Sequence, residues 1–154
     1  MRLLAILPFL VIACSCAGKE PTACDGFAGR RLAISAAEYR GCAGEILDAL
    51  DEMERPLRAI VARKATDDDR DATRRAYEKL RTRIQRTGIE ADYQSMRPGT
   101  VIMKWPSGPV SAFNSAALKA SVQYGAVLAF PNADNFGQGE RAHEEARHYY
   151  RAIH

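Results

Sequence analysis

The residues best equipped for chemistry in this 154-residue chain are three histidines, four cysteines and a few serine, lysine and carboxylate pairs. The run "HEEARH", residues 143–148, comes nearest to a metal motif. A helical zinc site of the HExxH kind needs two histidines four residues apart, so that both imidazoles leave one face. His143 and His148 are five apart, about 140° around a helix, and that motif is excluded. Glu144 and His148 do share a face, at the spacing of an ordinary surface pair. Ser115 and Lys119 stand four apart, where a serine–lysine acyl-transfer pair needs three, and no GxSxG is present. In "NADNFG", Asn132, Asp134 and Gly137 sit at offsets seen in calcium loops. Phe136 fills a ligand position there, and His143 stands where the closing carboxylate belongs. No catalytic residue, metal or cofactor is therefore expected.

The cysteines carry more information. Arg2 is followed by an apolar run from Leu3 to Ala13, which ends on Cys14 and Cys16. A bilayer-spanning helix needs roughly 20 apolar residues; this run has the length of a secretory signal core, about 7–15 residues. The tetrapeptide Val11-Ile12-Ala13-Cys14 resembles the lipobox of bacterial lipoproteins: aliphatic, aliphatic or small, small, then cysteine. The resemblance implies that the Cys14 thiol takes a diacylglycerol, that the chain is cut before it, and that the new amino terminus is acylated with palmitate-like chains. A thiolate is the available nucleophile for that thioether. Cys16 fits less well, because the triplet before it lacks the large aliphatic residue. Ser15, not Asp, follows Cys14, and in Gram-negative bacteria that pattern implies export to the outer membrane. Each buried acyl methylene contributes about 0.8 kcal/mol to membrane affinity, so several chains anchor firmly.

On this reading residues 1–13 are the signal peptide, 14–23 a short membrane tether, and 24–154 one compact helical domain. The tether spans about 30 Å when extended, which keeps the domain beside the bilayer. Cys16, Cys24 and Cys42 remain, an odd number in an oxidising compartment. Cys24–Cys42 is the preferred disulfide; it closes a loop that stabilises by roughly 3 kcal/mol on the chain-entropy model. Cys16–Cys24 is the alternative. With 22 Lys plus Arg against 19 Asp plus Glu, the net charge of +3 gives no reason to expect a nucleic-acid partner.

The elements that must position these residues read mostly as helices. "SAAE", residues 35–38, is a capping box. After it Tyr39, Cys42, Ile46, Leu50, Met53, Leu57 and Ile60 recur at three- and four-residue steps, an amphipathic stripe. Pro56 should kink or split this helix. Thr66 and three aspartates open a second helix, with Ala72 or Ala76, Tyr77, Leu80 and Ile84 inward and Gly88 as its stop. Residues 100–105, "TVIMKW", read as a strand, and residues 121–130 alternate as a second strand would; a continuous helix over 110–129 fits nearly as well. Residues 131–139 are loop-like in composition, and Ala142, Ala146, Tyr149 and Ile153 mark a C-terminal helix. The expected class is α+β, helix-dominated, with a small late β element.

The function this implies is a lipid-anchored, periplasm-facing outer-membrane lipoprotein that binds another envelope or effector protein and is not an enzyme. An immunity or inhibitor role against a toxin or cell-wall hydrolase fits best. An accessory subunit of a secretion or assembly machine is second, and a cell-wall or lipid hydrolase third. Candidate partner contacts are Trp105, as an aromatic anchor, and Arg81, Arg83 and Arg86 near the end of the second helix.

Overall fold

The computed structural model describes residues 22–25, 27, 34–87 and 108–154. Four helices account for most of them: α1 (Ala36–Val61), α2 (Asp67–Thr87), α3 (Pro109–Ala129) and α4 (Ala133–Arg151). The short connections 62–66 and 130–132 make α1–α2 and α3–α4 two helical hairpins. α1 touches all three other helices, α2 also touches α3, and α3 packs along α4.

Three of the helices begin on a side-chain cap, and α3 begins with Pro109 in its first turn after Gly108. The Ser35 hydroxyl accepts from the Glu38 amide while the Glu38 carboxylate reaches back to the Ser35 amide, the reciprocal box. Thr66 and Asp69 make the same exchange at the start of α2. Asn132 accepts from the amides of Asp134 and Asn135 at the start of α4. α1 stops on Arg63, which adopts φ 56°. The Lys64 amide then bonds Ala59 O and the Arg63 amide bonds Ile60 O, a Schellman closure built without glycine.

Every member of the α1 stripe, Tyr39 through Ile60, is buried. Leu80 and Ile84 of α2, Phe113, Tyr124 and Val127 of α3, and Phe136 and Ala146 of α4 complete the core. Small residues on α3, Ala116, Ala117, Ala120 and Ser121, are buried and admit close neighbours. Polar links also lie inside, among them the Tyr39 hydroxyl, which donates to Asn114 Oδ1 at 2.6 Å.

Four expectations are corrected. The described residues contain no strand, so the class is helical and not α+β. Residues 121–129 continue α3: Ser121, Tyr124 and Val127 are buried at three-residue steps, while Val122 is 58 % exposed. The alternation of apolar residues here follows from an Ala-rich helix whose outer face also carries valine and leucine, not from a pleat. The first expected strand, 100–105, lies outside the described residues. Residues 133–139 are helical, because Asn132 is a cap and Gly139 meets a packed ring, as described below. α1 runs unbroken through Pro56. Met53, Leu57 and Ile60 on either side of the proline sit in one core, whose burial outweighs the roughly 3 kcal/mol that an interior proline costs.

Candidate functional site at the α1–α4 seam

Beside its apolar stripe α1 carries a second row, Asp51, Glu54 and Arg58, spaced three and four residues apart and so aligned on one face. α4 presents a matching row, Glu140, His143, Glu144 and Arg147. Ala142 and Ala146 are buried between the rows and the core, and their small size lets the two helices close until the rows interlock. Arg58 Nη2 bonds Glu54 Oε1 at 3.0 Å and Glu140 Oε1 at 2.5 Å. Arg147 Nη2 lies 2.5 Å from Asp51 Oδ1 and 2.9 Å from Glu54 Oε2, and its Nη1 bonds Glu144.

His143 sits behind this lattice, fully buried. Its Nδ1 is 3.1 Å from the Tyr124 hydroxyl of α3 and 3.4 Å from Glu54 Oε2. Its Nε2 is 2.9 Å from Asp51 Oδ1. That oxygen lies off the line a ring N–H would need, so Nε2 forms no hydrogen bond. The Tyr124 ring meets the imidazole edge-on, with centroids 6.0 Å apart, and stacks on Phe136. A Cβ at position 139 would fall 2.5 Å from Tyr124 Cδ1, so glycine there is what lets the tyrosine reach His143.

Burial pushes the His143 imidazole below its ordinary pKa, and the Arg147 charge adds to this, outweighing the pull of Asp51 and Glu54. His143 is therefore neutral near pH 7. Burial opposes charge on Glu54, but hydrogen bonds from Arg147 and Arg58 overcome it and hold the carboxyl below its usual range. Arg147 stays charged against its own burial because Asp51 and Glu54 accept from it. Burial, then the Glu54 and Glu140 charges, push the Tyr124 phenol up, so its hydroxyl remains protonated. The seam thus assembles a neutral buried imidazole, a tyrosine hydroxyl, four carboxylates and two guanidiniums. Asp51, Glu54 and His143 place three donor atoms within 4.8 Å of one another.

The residues singled out from the sequence are distributed elsewhere. Cys24 and Cys42 meet with sulfurs 2.14 Å apart, joining the segment before α1 to the first turns of that helix. Arg81 is exposed on α2. Arg83 is occupied by Glu45 at 3.4 Å, and Arg86 by Thr22 and Asp25, so the three arginines do not form one open cluster. His148 is exposed and meets the Tyr149 ring edge-on, away from His143. Cys14 and Trp105 lie outside the described residues. Sequence reasoning missed Asp51, Glu54, Tyr124 and Arg147. The available signal was a pair of polar triplets, 51-54-58 and 140-143-147, each bordering its helix's apolar stripe. Compared with protein-family models, with curated proteins and with solved structures, the chain matches none of them.

Proposed function

We propose that the protein is an outer-membrane lipoprotein, anchored through Cys14 and facing the periplasm. Its helical body binds another protein, in the manner of an immunity or inhibitor protein directed at a toxin or cell-wall hydrolase. The observation that carries this reading is how the tether end is fastened. The Cys24–Cys42 bridge, the Ala23 amide on Glu45 and the Arg86 pair with Asp25 fix the chain to α1 and α2 just after the expected anchor. A disulfide there fits an exported, oxidising location. It also lets a pull between membrane and partner pass into the core through a covalent bond. No helix among the described residues is long and apolar enough to cross a membrane, so attachment on this reading rests on the lipid.

The surface best suited to a partner is the outer face of α2. A groove of about 700 Å³ runs along it, lined by five basic side chains, among them Arg74, Arg75 and Lys79, against two acidic ones. An acidic partner surface complements it and gains on-rate from the field. The test has two arms. Palmitate labelling and membrane fractionation of wild type and Cys14→Ser should show label and membrane attachment lost together. Pull-down from envelope extract with the acylated protein should enrich one protein, and Arg74→Glu/Arg75→Glu should abolish that enrichment. Label retained in Cys14→Ser sinks the anchor. Recovery unchanged by the charge reversal sinks the α2 surface, and enrichment of secretion components would favour the accessory role.

A further inference from the structure

We propose that the α1–α4 seam is a binding site for one divalent transition-metal ion of the Zn²⁺ class, held by His143 Nε2, Asp51 and Glu54, with Arg147 as the cation it displaces. The first observation is the imidazole. A polar nitrogen buried without a hydrogen bond costs about 1–3 kcal/mol, and His143 Nε2 is buried without one. Its neighbour Asp51 Oδ1 stands 2.9 Å away but off line. That is poor geometry for a hydrogen bond. It is close to the spacing of roughly 3–3.4 Å that two donors keep around a shared ion with bonds of about 2.0–2.1 Å.

The other ring nitrogen is already provided for. With Nδ1–H directed at the Tyr124 hydroxyl, 3.1 Å away, the tautomer leaves the Nε2 lone pair for a metal. Metal-ligating histidines are commonly oriented this way, by a second partner on the far nitrogen. One imidazole and two carboxylates suit a borderline cation better than a hard one. The three side chains offer donor atoms within 4.8 Å of one another; Asp51 already faces Nε2, and Glu54 Oε2, now 3.4 Å from Nδ1, turns toward that side to complete the set.

Charge and access agree with this. Asp51, Glu54, Glu140 and Glu144 outnumber Arg58 and Arg147 by two negative charges. Arg147 presently neutralises Asp51 and Glu54 together, yet it also holds Glu144. A divalent ion entering between Asp51 and Glu54 therefore leaves the guanidinium a partner. The Asp51 side chain is 47 % exposed, which opens the seam to solvent and leaves room for water as a further ligand.

The test uses the full mature chain, stripped of metal, with Zn²⁺ alone titrated by calorimetry. One ion per chain is expected. Asp51→Asn should weaken binding by roughly tenfold or more, Arg147→Gln should strengthen it by roughly tenfold or more, and exposed His148→Asn should leave it unchanged. In wild type the nitrogen resonances of His143 should move on Zn²⁺ addition while those of His148 stay, a readout that needs no variant to fold. No uptake by wild type and Arg147→Gln alike, affinity untouched by Asp51→Asn, or resonance shifts at His148 in place of His143 would each overturn the proposal and leave the seam a purely structural ion lattice.

Discussion

α1 carries two stripes side by side, and they hold the molecule together by different physics. The apolar one, Tyr39 to Ile60, meets α2, α3 and α4 through contacts that any apolar surface of suitable shape could supply. The polar one, Asp51, Glu54 and Arg58, meets a single complementary row on α4, and each group there has a specified partner and distance. The first stripe stabilises. The second contributes less, since pairs with partly exposed members are screened, but it sets which face of α4 turns inward. The comparison teaches that one helix can be legible on one side and illegible on the other.

The stripes should respond differently to damage. Leu50 is fully buried at the centre of the apolar stripe, so Leu50→Ala should cost about 2–5 kcal/mol in urea unfolding. A cost below that of a surface substitution would break the contrast. The disulfide staples the start of the same stripe. Because it closes the loop between Cys24 and Cys42, reduction should lower stability by roughly 3 kcal/mol, and Cys24→Ser/Cys42→Ser should be insensitive to reductant. At the polar seam, Gly139→Ala drives a methyl into the Tyr124 ring and should cost about 1–3 kcal/mol. Thermal melts check this, and a wild-type melting temperature would mean that Tyr124 is not held against His143. The smallest effect is expected away from both stripes, at the α2 cap. Hydrogen bonds from the Thr66 amide and hydroxyl hold the exposed Asp69 carboxyl below its ordinary pKa. Its capping contribution is present above the unfolded-state value and is lost as pH falls through the folded value. Carbonyl NMR titration should show the Asp69 midpoint rising in Thr66→Ala.

The helices were legible because caps and periodicity are local. Ser35-Glu38, Thr66-Asp69 and the run from Tyr39 to Ile60 each act within a turn or two of their own position. What was illegible depended on a partner far along the chain. Gly139 reads as a loop residue until Tyr124 is seen against it. The segment 121–129 reads as a strand until Tyr124 and Val127 are seen facing a core that only a helix lets them share. At the candidate site, His143 fails as half of a helical histidine pair, because α4 offers no second histidine at the right step. Its neighbours Asp51 and Glu54 come from α1, 92 and 89 residues earlier in the chain.

The two polar rows should behave as one coupled unit across the α1–α4 seam. A double-mutant cycle on Glu54→Gln and Arg147→Gln, read by equilibrium unfolding, tests it most directly. A coupling of about 1–2 kcal/mol is expected, within the range for partners in one salt-bridge network. Additivity to within about 0.5 kcal/mol would mean that the rows merely lie next to each other, and would contradict it.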